Sequence, residues 1–392
     1  MPDPVGALDG IKVVEAGLLV QGPQAAATLG EWGADVVKVE LPGYGDQSRW
    51  LPVQPGDARS AYFLGCNRGK RSVTVDLRTP DGREVFLRLA EWADVIVTNF
   101  TPGTMDGWGL AYDDVSARNP RIVYAAGSTY GTEGTDAHRE GADLSGQAAG
   151  GLISTTGRDG QELTPVAVTI ADHIAAQNLV AGILAALVAR ERTGRGQCIT
   201  TSLLGGQIWA QASEYMGCFL RGGAAGRSNR GHPLIPGLYG IFRTADGWIA
   251  IVGVVGKARQ TFFDLIGRTD LYERFPQTQY WDDDKAELFP VLDDVFSTET
   301  TATWCERLRE AGVRHAPVRD HAEVVADPNV WANGYLVNVD GVDVVAAPVS
   351  FSATPARPSA VAPELGQHTE EVLVDLGYTW DDIARLHESG AI

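Results

Sequence analysis

The amino-acid sequence predicts an α/β protein built on a parallel, doubly wound sheet, with a smaller second domain late in the chain. Three observations carry that reading. β-branched runs alternate with helical patterns through the first 130 residues, the loops between them are short, and the composition shifts after residue 220. Residues 11–16 read as the first strand, and residues 24–32, rich in Ala and stopped by Gly33, as a helix with a glycine C-cap. Residues 34–40 form the next strand and residues 71–77 another. Residues 81–93 read as a helix because Val85, Phe86, Leu89 and Ala90 recur at helical spacing. The short β-branched runs 95–97 and 122–126 complete the series.

Residues 172–192 form the clearest helix, with Leu179, Ile183, Leu184, Leu187 and Val188 on one face and Thr193-Gly194-Arg195-Gly196 as its stop. Residues 221–240 are rich in Gly, Arg, Asn and Pro. A strand pair, 238–243 and 248–254, follows across the turn Ala245-Asp246-Gly247, and helical patterns with charged faces fill residues 257–312. The tail carries a helix at 370–376, then Gly377 and a second helix opened by Thr379 or Asp381.

The chain has 392 residues, with 32 Lys+Arg against 50 Asp+Glu, a net charge of −18. A duplex-binding surface needs excess cations to release counterions, so this balance argues against nucleic acid as a partner and against an anionic membrane surface. The longest apolar run, 179–189, is interrupted by Gly182 and short of the roughly 20 residues that span a bilayer. The segment Met1-Pro2-Asp3-Pro4-Val5-Gly6 lacks the pattern of a secretory signal. Cys66, Cys198, Cys218 and Cys305 are scattered, with no Cys-x-x-Cys pair and no His spaced to complete a metal site. A cytoplasmic setting is expected.

Gly65-Cys66-Asn67-Arg68-Gly69-Lys70-Arg71-Ser72 resembles a phosphate loop only superficially, since its glycines are one residue too close and a strand follows instead of a helix. Its three cations are read either as an anion site or as a solvated turn. No dinucleotide fingerprint follows any strand, and no nucleophile elbow is present. Asp172, at the head of the long helix, has two readings. It can be the N-cap, accepting helix N–H bonds. It can also be a nucleophile that attacks a carbonyl to give an acyl anhydride, with the helix N-terminus keeping it ionised.

Ordered segments along nearly the whole chain then become recognisable. They include 8–15, 33–40, 67–77 and 93–100 with Pro102-Gly103, then Asn119-Pro120-Arg121, Gly150-Gly151, Asp172 with 182–187, 193–197, 229–233, 239–240, 244–247 and 365–369. In this order and spacing the chain resembles the class III coenzyme A transferases, the family of formyl-CoA transferase, carnitine CoA-transferase and α-methylacyl-CoA racemase. The resemblance implies a Rossmann-like large domain built from residues 1–220 and 336–392, a small α+β domain at 221–335, and two subunits threaded through each other like linked rings. It implies Asp172 as nucleophile, with Asp143 and Gln21 beside it. It places coenzyme A against Lys38, Arg71, Leu77, Asn99, Phe100 and Arg121, and the acyl pocket at Val20, Gly231 and His232. Coenzyme A and acyl-CoA then enter as substrates, with no resident cofactor or metal, and a carboxylic acid is the acceptor.

One departure separates the family's two chemistries. Racemase members place a His before an Asp in the segment matched by Gly141-Ala142-Asp143, as one of two bases that exchange the α-proton. Ala142 stands there in this chain. Two-base exchange needs two suitable groups, so CoA transfer is the expected activity. Val20 also stands where formyl-CoA transferase has its active-site Gln, with Gln21 one residue later, and Arg230-Gly231-His232-Pro233 replaces its multi-glycine loop.

Overall fold

The computed structural model describes residues 6–277, 279–359 and 361–392. Met1 to Val5, on which the reading of the amino terminus largely rests, lies outside the described residues. The chain forms two compact units, one of residues 1–150, 167–210 and 328–392 and one of 151–166 and 211–327. The expected bounds of 220 and 335 thus shift to 210 and 327. Residues 151–166, expected in the large domain, belong to the second unit because the backbone of Ser228 and Asn229 bonds to Thr155 and Gly157.

The first unit is an α/β fold on six parallel strands. These are β1 (Lys12–Ala16), β2 (Asp35–Glu40), β3 (Arg71–Thr74), β4 (Val95–Thr98), β5 (Val123–Ser128) and β6 (Gln197–Ser202), in the order β3-β2-β1-β4-β5-β6. Val13 and Val14 show why the early strands are apolar on both sides. Val14 packs with Phe86, Leu89 and Ile96 on one face, and Val13 with Leu29, Leu179 and Ile183 on the other. β6 was not foreseen, since four of its six residues are polar and only Ser202 is buried.

The helix Gln21–Glu31 lays Ala25, Ala26 and Leu29 against the helix Ile170–Thr193, hereafter the central helix. Small side chains let the two backbones approach closely. By length and composition the 24-residue central helix could cross a bilayer; here Leu179, Val180 and Ile183 are buried in the core beneath the sheet. It leads directly into β6 and runs antiparallel to it, so its first turn stands at the carboxyl ends of the strands.

The outer edge of β3 is covered by the chain's last residues rather than by a strand. The Ser72 N–H donates to His368 Nδ1 at 3.2 Å, that of Thr74 to Thr369 Oγ1 at 3.0 Å, and that of Asp76 to the Ala391 carbonyl at 2.8 Å. The second unit carries three antiparallel strands, β7 (Leu238–Arg243), β8 (Trp248–Val254) and β9 (His315–Pro317), over a core of Phe242, Phe262, Phe296 and Trp304.

Candidate active site

The strand order reverses at β1 and β4, and in an open α/β sheet that is where a crevice forms at the carboxyl ends. The loop that leaves β1 there is held on three sides. Lys38 Nζ donates to the Gly17 carbonyl at 3.1 Å, Asp46 Oδ1 accepts from the Leu19 N–H at 3.0 Å, and Asn99 takes both backbone groups of Leu18 at 2.8 Å. A Cβ on Gly17 would lie 2.9 Å from Asn99 Oδ1, so only glycine lets the amide in. Leu19 is forced to a φ of 64°, a left-handed conformation that costs on the order of 1 kcal/mol. Val20 and Gln21 follow, both buried, and Gln21 Nε2 points to the Ser128 carbonyl at the end of β5, 3.4 Å away.

The helix Asp143–Ala149 meets the central helix at its first turn. Asp143 is buried, and its Oδ1 accepts from the Ala171 N–H at 2.7 Å and the Asp172 N–H at 3.2 Å, while Gln147 Nε2 donates to Oδ2 at 2.6 Å. The contact is close because Gly146 has no side chain: a Cβ there would fall 2.7 Å from the Leu203 Cβ and 2.9 Å from that of Ala171.

The cap reading of Asp172 is therefore corrected. Thr169 is the N-cap residue and Asp172 the third residue of the helix, and the N–H groups it was expected to satisfy are taken by Asp143, 28 and 29 residues upstream. No hydrogen bond or ion pair engages the Asp172 carboxylate among the described residues. Burial, with the Asp143 charge adding to it, pushes its carboxyl up to about 7. The expectation that the helix terminus keeps Asp172 ionised is overturned, since the terminal donors serve its neighbour.

Leu77 and Phe100 share a cavity of about 220 Å³ at the carboxyl ends of β1 to β4, walled also by Leu18, Tyr44 and Trp108 and bordered by Arg78. Sequence reasoning missed Arg78, which directly follows Leu77 and is bidentate to Asp76. Four of the expected coenzyme contacts stand elsewhere. Lys38 is fully buried between Glu15 at 2.7 Å and Asp46 at 2.8 Å; burial alone would lower its proton affinity, but these carboxylates hold it charged. Asn99 is spent on Leu18. Arg71 opens β3 at the amino-terminal edge of the sheet, paired with Asp35 at 2.7 Å and near Glu371 and Asp375. Arg121 lies at the same edge, donating to the Gly194 carbonyl at 3.3 Å.

Each cation of the basic turn lies against a carboxylate: Arg68 against Glu31, Lys70 against Glu15, which it shares with Lys38, and Arg71 against Asp35.

Gly231 and His232 belong to the second unit, in a cleft of about 490 Å³ with Arg158, Arg227, Lys285 and Phe289. The Leu234 N–H donates to His232 Nδ1 at 3.1 Å, which leaves the ring proton on Nε2, 3.0 Å from Glu214 Oε1. Gly231 is required by the backbone, since a Cβ would sit 2.2 Å from the Tyr239 carbonyl oxygen.

Residues 8–369 match the family model described as CoA-transferase family III. The chain belongs to CoA-transferase family III. It is 34% identical, over 95% of its length and 97% of the relative's, to the succinyl-CoA:mesaconate CoA-transferase of Haloarcula hispanica. It is 32% identical to the human succinyl-CoA:glutarate CoA-transferase, covering 98% of this chain and 90% of that one. A crystal structure of a CAIB/BAIF family protein from Brucella suis superposes with a TM-score of 0.86 at 32% identity, over 95% of this chain and all of that one. As a family III CoA-transferase, this enzyme is a transferase whose CoA thioesters are substrates rather than resident cofactors.

Proposed function

We propose that this family III enzyme moves CoA from an acyl-CoA to a free carboxylic acid, with Asp172 as the nucleophile. The observation that carries the reading is the Asp172 carboxylate, partly buried at the carboxyl ends of the sheet with no partner among the described residues. A carboxylate so placed is a nucleophile awaiting a carbonyl.

The carboxylate attacks the donor thioester carbon; the C–S bond breaks, leaving an aspartyl acyl anhydride and CoA thiolate. The thiolate attacks the aspartyl carbonyl, and the donor acid departs with the bridging oxygen. The acceptor carboxylate attacks the resulting aspartyl-CoA thioester, and the thiolate released takes the acceptor acyl group from the second anhydride. One thioester is exchanged for another, so the free energy of hydrolysis is never lost. Since each step is the attack of an anion on an acyl carbonyl, positioning contributes more than proton transfer once Asp172 is ionised. The cavity at Leu77, Arg78 and Phe100 suits the nucleotide end of CoA, with apolar walls for the base and a guanidinium at its border.

Ala142 in place of a His favours transfer over racemisation. Two relatives named for succinyl-CoA make it the first donor to try. A second copy of the chain is the expected partner, supported by the exposure of Trp209 in the first unit and of Phe219 and Leu220 in the second. The four free cysteines fit a reducing, cytoplasmic setting.

The test is intact mass spectrometry of wild type and Asp172→Ala after incubation with a panel of acyl-CoAs, half of each sample receiving hydroxylamine. A CoA-sized, hydroxylamine-sensitive adduct on wild type alone is expected. Absence of any adduct, together with exchange of the α-proton into deuterated solvent, would replace transfer with racemisation.

A further inference from the structure

We infer that Asp143 is the positioning residue of this site: by occupying the N–H groups at the start of the central helix, it keeps the Asp172 carboxylate off them and free for the thioester. The inference rests on Asp172 being the nucleophile and goes one step beyond it.

An acidic side chain in the first turn of a helix ordinarily settles on the exposed N–H groups nearby. Those of Ala171 and Asp172 are instead bonded to Asp143 Oδ1, and Thr169 contributes no side-chain cap. Asp143 is itself held from behind by Gln147 Nε2 and is buried. A carboxylate whose lone pairs are engaged by N–H donors is a poor nucleophile, and here Asp143 takes those donors so that Asp172 does not. The arrangement has a consequence for ionisation. Two carboxylates share one helix end, so the Asp143 charge joins burial in opposing the Asp172 anion.

Among the described residues no other charge competes for that role. The helix Leu203–Ala210, packed on the same turn, carries no charged side chain, and neither do β5 and β6. The helix Gln21–Glu31 brings Gln21 and Gln24, with its one carboxylate, Glu31, in its last position and paired to Arg68. On the central helix itself His173 follows, an imidazole whose desolvation lowers its proton affinity against an upward pull from Asp143.

The test is the acidic limb of kcat/KM against pH in wild type, Asp143→Asn and Asp143→Ala. Asn keeps an oxygen acceptor for both N–H groups without the charge, so the limb moves about one pH unit lower while kcat above the limb stays within about threefold. Ala surrenders the N–H groups to Asp172, and kcat falls at least about tenfold below that of the Asn variant. A limb that stays in place in Asp143→Asn, or an Asn variant as damaged as Ala at equal thermal stability, overturns the inference. If Asp143→Ala does not fold, the Asn limb decides alone. The CoA adduct on wild type separates the two layers: without it the nucleophile reading fails, whereas an adduct with an unmoved limb removes only Asp143.

Discussion

Asn99 grips Leu18 from both directions, its Nδ2 donating to the Leu18 carbonyl at 2.8 Å and its Oδ1 accepting the Leu18 N–H at 2.8 Å. The clasp spans the point where strand order reverses and tethers the β1 loop, which carries Val20 and Gln21, to the end of β4. Asn99→Ala leaves two backbone groups without partners and is expected to destabilise the protein by about 1–3 kcal/mol. Asn99→Asp keeps the acceptor and loses the donor, so its melting temperature should fall between those of wild type and the Ala variant. A melting temperature unchanged by Ala would show that the loop holds itself.

The ionisation of Asp172 makes stability depend on pH in a defined direction. Its folded carboxyl titrates near 7, whereas in the unfolded chain an Asp titrates near about 4. The contribution is fully present below the lower value, is lost progressively as pH rises between the two, and stays lost above 7. Asp172→Asn removes that dependence. Its melting temperature, measured against wild type, should rise more at pH 8 than at pH 5; an equal offset at both would mean the carboxyl titrates normally.

Lys38 and Arg71 were both read as coenzyme contacts, and the structure gives them opposite sensitivities. Lys38→Met strands the buried carboxylate of Asp46 and leaves Glu15 with Lys70 alone, with an expected loss of about 3–5 kcal/mol in denaturant unfolding. Arg71 is paired with exposed carboxylates, so Arg71→Ala should cost at most about 1 kcal/mol and leave KM for acyl-CoA unchanged. A severalfold rise in KM would bring Arg71 back into the site.

Gly146→Ala tests the packing that delivers Asp143. Its Cβ would fall within 2.7 Å of Leu203 and 2.9 Å of Ala171, forcing the two helices apart. We expect about 1–3 kcal/mol of destabilisation and, because Asp143 is withdrawn from the helix end, a drop in turnover larger than any change in KM. Full activity in this variant would uncouple the helix contact from the chemistry.

The strands β1 and β2 were legible because residues such as Val13, Val14, Val36 and Val37 must be apolar when both faces of a strand are buried. β6 was not, because its residues are mainly polar and only one of the six is buried, so they carry no such pattern. The misread cations have a different cause. Arg68, Lys70 and Arg71 find carboxylates 37, 55 and 36 positions away, and a local window sees three positive charges where the folded chain sets a carboxylate beside each. Asp172 was found by its place in a family pattern; that Asp143 satisfies the donors beside it depends on helix packing through Gly146, which spacing does not encode.

The cover over β3 has a bearing on how the protein is made. Ser72 and Thr74 are synthesised almost 300 positions before His368 and Thr369, the groups that occupy their outward N–H positions. During translation the nascent sheet therefore carries an open edge next to its most apolar strands, the kind of edge that recruits other chains. Its quality control falls to whatever shields that edge until the tail emerges, and a ribosome stalled before residue 360 would release a sticky fragment rather than a shorter enzyme.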